Sequence, residues 1–181
     1  MSDEAIRNQY AKQGVTPYYS EHGATYRNPH EPIIRALLRR IVPAWHIPTD
    51  HILDLACGSG EVTLALQDLA TAISAIDPYT HEAYAARTGH TAQALTFEQI
   101  AAGALAEQHY SVIICSFAMH LVEASRLPVL ALQLAQISPH LLILTPHKRP
   151  TITPDWGWEL TQETIQDRVR ARLYQSSLFK S

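Results

Sequence analysis

Cysteine is scarce in this chain of 181 residues: there are two, Cys57 and Cys115, each inside an apolar run. Two thiols build no disulfide framework, so a reducing compartment, the cytoplasm, is expected. Long apolar runs are missing as well. No stretch approaches the ~20 apolar residues that span a bilayer, and the opening MSDEAIRNQYAKQG carries charges but no apolar core of a secretory signal. Charge of one sign is not in excess. The net charge is −3, and a pI of about 6.3 argues against a basic nucleic-acid-binding surface. At 17% charged and 46% hydrophobic residues, the composition excludes a disordered scaffold. Ten histidines are many, yet none has a metal-ligand spacing with cysteine or glutamate, so no metal is expected. Internal repeats and low-complexity tracts are absent, and the length suits one core.

What is present is an alternation of strand and helix signals. Ile33, Ile34, Leu37, Leu38, Ile41 and Val42 recur at helical spacing, with Arg35, Arg39 and Arg40 on the other face. A helix is predicted over 31–42, closed by Pro43 and Pro48. Strands follow at 51–57, 72–76, 94–97, 111–117 and 140–145, separated by helices at 61–69, 81–87, 100–108 and 127–137. Apolar strands alternating with helices imply a mainly parallel sheet, here of six or seven strands, with helices on both faces. Near the end, Val169, Ala171 and Leu173 alternate with Arg168, Arg170, Arg172 and Tyr174. That pattern predicts a single half-exposed antiparallel strand at or near the sheet edge, its arginines on a solvated face.

In an open parallel sheet, ligands bind outside the carboxyl ends of the strands. The first such end reads Ile52-Leu-Asp-Leu-Ala-Cys-Gly-Ser-Gly-Glu-Val-Thr63. Gly58 and Gly60 permit a tight turn and close approach to bare backbone, and the following helix aims free N–H groups at a ligand. At the next strand end Asp77, followed by Pro78, is placed to accept hydrogen bonds from two ribose hydroxyls, a spacing that fits nucleoside cofactors. The dinucleotide fingerprint G-x-G-x-x-G fails in either register, because its third glycine falls on Thr63 or Glu61. No phosphate loop of the G-x-x-x-x-G-K-[ST] kind is present.

The pattern D-x-A-C-G-S-G-E-x-T resembles motif I of the class I S-adenosylmethionine-dependent methyltransferases, and the similarity covers about residues 50–146. The resemblance implies a Rossmann-like class I methyltransferase fold, S-adenosylmethionine as cofactor and methyl transfer as the activity. Residue by residue, Asp54, Ala56, Gly58 and Gly60 match motif I. Asp77 matches the acid after the second strand. Phe97-Glu98-Gln99-Ile100 falls where the family often has an acid near the adenine, which points to Glu98 and Gln99. Cys115-Ser-Phe-Ala-Met-His-Leu121 matches the segment beside the methyl group, which points to Ser116 and Phe117. Ala56 stands where the family's first glycine is usual, Gln99 holds the adenine-side acid position, and one C-terminal strand stands where the family usually has a hairpin. Asp54 would hold the glycine loop or reach the methionine end of the cofactor through water.

His120 follows the fourth predicted strand, and an imidazole there suits a general base; the other reading is a hydrogen-bonded histidine at a helix start. His147 ends the fifth strand, with Lys148 and Arg149 beside it for a substrate carboxylate or phosphate, or as a solvated loop. Tyr18, Tyr19 and Tyr26 lie in a Gly- and Pro-punctuated segment that is either a lid over the acceptor or a fixed cover, and Trp156 either closes the acceptor pocket or covers a sheet edge. The expected organisation is a cap or lid over 1–48 and a cofactor-binding core over 49–181. The expected acceptor is a small molecule methylated on oxygen or nitrogen, with no nucleic acid and no membrane as partner, and with the choice of monomer or dimer open. The place of the [Asp/Asn]-Pro-Pro-[Tyr/Phe] segment of many nucleic-acid methyltransferases reads Cys115-Ser-Phe-Ala. A protein acceptor and a non-catalytic binding protein are the alternatives.

Overall fold

The computed structural model describes residues 22–180. One six-stranded sheet runs in the order β2-β1-β3-β4-β6-β5. Its strands are β1 (His51–Leu55), β2 (Ala72–Ile76), β3 (Val112–Ser116), β4 (His140–Thr145), β5 (Trp158–Gln166) and β6 (Val169–Ser176). The first four are parallel, and β6 lies antiparallel between β4 and β5. The helices are α1 (Glu31–Ala44), α2 (Glu61–Leu66), α3 (His81–Thr88), α4 (Phe97–Ala101) and α5 (Leu127–Ile137).

Successive strand residues face opposite sides of the sheet. Leu53, Leu55, Ile113, Cys115, Leu141 and Ile143 pack in one layer with Leu130 and Leu134 of α5. Ile52, Val112, Ile114, Leu142 and Leu144 pack in the other, with Leu37, Leu38 and Ile41 of α1 and Val62 and Leu66 of α2. Burial on both faces is why these strands read as unbroken apolar runs. Among the described residues no helix is long and apolar enough to cross a membrane.

Four local expectations are corrected. Pro43 lies inside α1 instead of ending it. The proline sits in the last turn, where Trp45 N and Ile47 N still donate to Ile41 O (2.8 Å) and Val42 O (3.0 Å). The helix expected over 61–69 stops at Leu66, where Leu69 and Ala70 turn back on the Leu66 carbonyl. No strand forms over 94–97. Gln93 alone bridges Ile76, and then Thr96 and Gln99 close a capping box, with Gln99 N donating to Thr96 Oγ1 (3.2 Å) and Thr96 N to Gln99 Oε1 (2.9 Å). That box starts α4 at Phe97, and the helix ends at Ala101, short of the expected 100–108.

The fourth correction is the C-terminal hairpin. Asp167 and Arg168 both hold positive φ (48° and 66°), the backbone of a tight hairpin turn. Because β5 takes the edge, β6 is an interior strand, and its expected solvated arginine row is partly covered. Arg172 is 9% and Tyr174 1% exposed. Arg172 Nε donates to Glu163 Oε2 (2.6 Å), and its Nη1 donates to the carbonyls of Lys148 (2.9 Å) and Pro150 (3.1 Å). Its charge is therefore matched, and it anchors the loop that leaves β4.

Candidate active site

Strand order reverses across β1, with β2 on one side and β3 on the other. Open α/β sheets place ligands at such a switch point, and a cavity of about 620 Å³ opens there. Its wall includes Asp54, Ala56 and Gly58 from β1 and its loop, Asp77 and Pro78 after β2, and Ser116 and Phe117 at the end of β3.

The loop after β1 runs through left-handed backbone at Ala56 (φ 56°), Gly58 (φ 56°) and Gly60 (φ 96°). The two glycines serve different neighbours. A Cβ on Gly58 would stand 2.9 Å from Glu61 Oε2 and 3.2 Å from Tyr26 Cε1, at the cavity wall. A Cβ on Gly60 would stand 2.6 Å from Thr88 Cγ2, so this glycine lets the loop press against α3. Ala56 takes the left-handed conformation at a cost of about 1–2 kcal/mol. Phe117 does the same at the end of β3 (φ 58°), with its ring stacked on His30 at 5.0 Å between centroids.

Three carboxylates surround this loop. Asp77 Oδ1 accepts from Tyr79 N (2.8 Å) and Thr80 N (2.9 Å), and its Oδ2 accepts from Gly58 N (3.3 Å). One residue thus ties the β2 turn to the glycine loop. Asp54, 1% exposed, accepts from Thr63 N (3.1 Å) and Thr63 Oγ1 (2.7 Å), and Thr63 in turn meets the Tyr84 hydroxyl (3.1 Å). Glu61, 5% exposed, accepts from Ser59 Oγ (2.5 Å) and Asn28 N (3.3 Å).

Burial pushes Asp54 up to about 8 against the Thr63 hydrogen bonds, with Glu61 and Asp77 adding to the rise. Burial likewise raises Glu61, against its bond from Ser59. A carboxyl raised from 3.8 to about 8 binds its proton more tightly in the folded chain. Its stabilisation is complete below the unfolded value and is lost as pH rises through the folded one. Unfolding free energy of the ligand-free protein is therefore expected to fall between about pH 4 and pH 8, and Asp54→Asn should flatten that fall. Denaturant unfolding across this range measures it; an unchanged slope in the variant would assign the titration to another group.

Of the other expected site residues, Tyr26 and Glu98 line the cavity, while Gly60, Gln99, His120, His147 and Trp156 are not in its wall. Gln99 is exposed and serves the α4 capping box. His120 sits on the short 3₁₀ turn Met119–Leu121, its ring 4.5 Å from that of His147. Trp156 is half-buried against the core, and Trp158 is fully buried, with Nε1 donating to Ala131 O (2.9 Å). Lys148 and Arg149 are exposed. Tyr18 and Tyr19 lie outside the described residues. Sequence reasoning did not single out Glu61 and Thr80 as site residues, nor the far wall of Leu121, Val122, Arg126 and Val129. Glu61, directly after Gly60, and Leu121, at the end of the Cys115–Leu121 segment, carried a signal that a motif-based reading can use. Among the described residues no group of three or more His, Cys, Asp or Glu side chains is arranged to hold a metal ion.

Residues 26–176 match the family described as "Methyltransferase domain". The chain belongs to that family. An uncharacterized protein of Schizosaccharomyces pombe is 30% identical over 228 aligned positions, covering 95% of this methyltransferase and 92% of the yeast protein. Among solved structures, the magnesium protoporphyrin IX methyltransferase of Synechocystis PCC 6803, with bound S-adenosylmethionine, is similar with a TM-score of 0.62 at 14% identity, covering 98% of both chains. The N-methyltransferase NodS of Bradyrhizobium japonicum, in complex with S-adenosylhomocysteine, gives 0.66 at 11% identity, covering 87% of this methyltransferase and 96% of NodS. At these identities the structural likeness speaks for the fold: a six-stranded sheet ending in an antiparallel hairpin.

Proposed function

We propose that this methyltransferase moves a methyl group from S-adenosylmethionine to an oxygen or nitrogen atom of a small molecule. The observation that carries the reading is the extent of one cavity. It begins at Asp77 and Gly58 and continues to a far wall where Leu121, Val122 and Val129 stand with Arg126. Its volume of about 620 Å³ lies mid-range for sites that enclose small molecules, roughly 300–1,000 Å³.

The residues present fit the cofactor. Ser116 Oγ and Thr80 Oγ1 are buried wall atoms with no hydrogen-bond partner among the described residues, which is the condition of groups awaiting a ligand. Gly58 leaves bare backbone in the same wall. Asp77 would take the ribose, Pro78 and Glu98 the adenine side, and Asp54, Ala56, Ser116 and Phe117 the methionine and methyl end. Tyr26 brings an aromatic ring beside Gly58, and aromatic rings suit a positively charged sulfur. Gly60 and Gln99 act indirectly, through the loop's packing and the start of α4. The cofactor supplies an electrophilic methyl group; the chain's part is to align the acceptor and exclude water.

His120 and His147 stand together at the ends of β3 and β4. Ala118 and Leu121, on either side of His120, are wall residues. In this reading an imidazole next to those wall residues takes a proton from an O–H or N–H acceptor. The test is an untargeted metabolite screen for a compound that gains one methyl group while S-adenosylhomocysteine is released. With the acceptor in hand, His120→Ala should lower turnover by about 10²–10⁴-fold and leave cofactor affinity unchanged. Near-normal turnover would leave alignment as the sole contribution of the rim. Binding of the cofactor without turnover of any metabolite would favour a regulatory protein.

A further inference from the structure

Glu61 is the first residue of α2, directly after the glycine loop. Its side chain folds back toward that loop and forms part of the cavity wall. The two carboxylate oxygens differ. Oε1 accepts from Ser59 Oγ (2.5 Å) and from Asn28 N (3.3 Å). Oε2 accepts from no other described side chain or backbone and stands 2.9 Å from where a Cβ of Gly58 would lie, beside the ring of Tyr26. Asp77 holds Gly58 by its amide nitrogen, so Asp77 and Glu61 both border the same glycine.

The charges around Glu61 do not balance on the cavity side. Asp54, Asp77, Glu98 and Glu123 are the other acids of this wall. Arg87 reaches Ser59 Oγ (3.2 Å) and Glu31 (2.8 Å), but is not a wall residue. Among the described wall residues Arg126 alone is basic, and it is paired with Glu98 (3.4 Å) and Glu123 (3.3 Å). A buried carboxylate with no cation beside one of its oxygens is costly until a cation meets it. At its amino-acid end S-adenosylmethionine carries an ammonium and a carboxylate, and only the ammonium complements this wall.

We infer that Glu61 is a cofactor-recognition residue whose Oε2 receives the α-ammonium group of S-adenosylmethionine. The inference rests on the reading of the cavity as the cofactor site. It separates two jobs within one loop: Asp77 recognises the ribose, and Glu61 recognises the charged end of the amino acid. An ammonium–carboxylate contact in a sheltered wall is a strong, charge-assisted hydrogen bond.

Calorimetry on the wild type and on Glu61→Gln tests it, with two probes: S-adenosylhomocysteine, and its analogue in which hydrogen replaces the α-amino group. The wild type should bind the analogue at least tenfold more weakly. Glu61→Gln should bind both probes alike, at about the wild type's affinity for the analogue. Equal wild-type affinity for the two probes would overturn the inference without any variant, so misfolding of Glu61→Gln leaves it testable. A Glu61→Gln protein that still discriminates tenfold would overturn it as well. Wild-type protein that binds neither probe would instead remove the cofactor reading on which it rests.

Discussion

Asp77→Ala is expected to abolish measurable cofactor binding and to lower stability at the same time. The carboxylate is 8% exposed and accepts from the backbone of Tyr79, Thr80 and Gly58. Hydrogen bonds to a charged acceptor contribute roughly 1.5–3 kcal/mol each, less where water replaces the lost partner. A loss of about 3 kcal/mol in unfolding free energy follows on that scale. Asp77→Asn separates the two roles. Its amide oxygen still accepts from Tyr79 and Thr80, but its amide nitrogen turns donors toward Gly58 N and toward any ribose hydroxyl. The asparagine variant should therefore keep most of its stability and bind S-adenosylhomocysteine at least tenfold more weakly. Thermal unfolding and calorimetry decide. Wild-type affinity in Asp77→Asn would leave the carboxylate as a turn cap and nothing more.

Gly60→Val should damage the fold before it damages binding. A motif-based expectation is that the valine would fill the cofactor's space, but the Cβ direction at Gly60 leads to Thr88 Cγ2 at 2.6 Å and Tyr84 at 3.4 Å. The left-handed backbone costs a non-glycine residue about 1–2 kcal/mol, and overpacking adds roughly 1–3 kcal/mol. An unfolding free energy lower by about 3 kcal/mol or more is expected from the sum. In the milder Gly60→Ala background, Thr88→Ser removes the clashing methyl and should restore part of the loss. Gly58→Ala differs in kind, because its Cβ meets Tyr26 and Glu61 at the cavity. That variant should lose affinity by more than its stability predicts. Denaturant unfolding of the set is the check; a Gly60→Val protein of wild-type stability that fails to bind would restore the motif-based expectation.

Legibility in the sequence followed the physics of each element. Strands β1, β3 and β4 are buried on both faces, so continuous apolar runs announced them. Strand β5 is exposed over most of its length, and its Trp-Glu-Leu-Thr-Gln-Glu-Thr-Ile-Gln carries too few inward apolar residues to signal a strand. With β5 unseen, the arginines of β6 read as solvated, whereas Glu163 of β5 is the partner that lets Arg172 be buried. The strand expected over 94–97 failed because a local capping box at Thr96 outweighed a weak apolar run. In the site, Asp54, Gly58 and Asp77 were legible because motif spacing places them at strand ends. The far wall was not legible, because Val129 and Leu130 reach the cavity only through the packing of α5 beside α4. Position after a strand marked His120, but the 3₁₀ turn that carries it sets its ring beside that of His147, a pairing that no spacing encodes.

The most direct test supplies S-adenosylmethionine labelled on its methyl group to the protein in a cell extract, then separates small molecules, proteins and nucleic acids. Label is expected in the small-molecule fraction with wild-type protein and is expected to be lost with Asp77→Asn. Transfer of the label to protein or nucleic acid, lost in the same variant, would contradict a small-molecule acceptor.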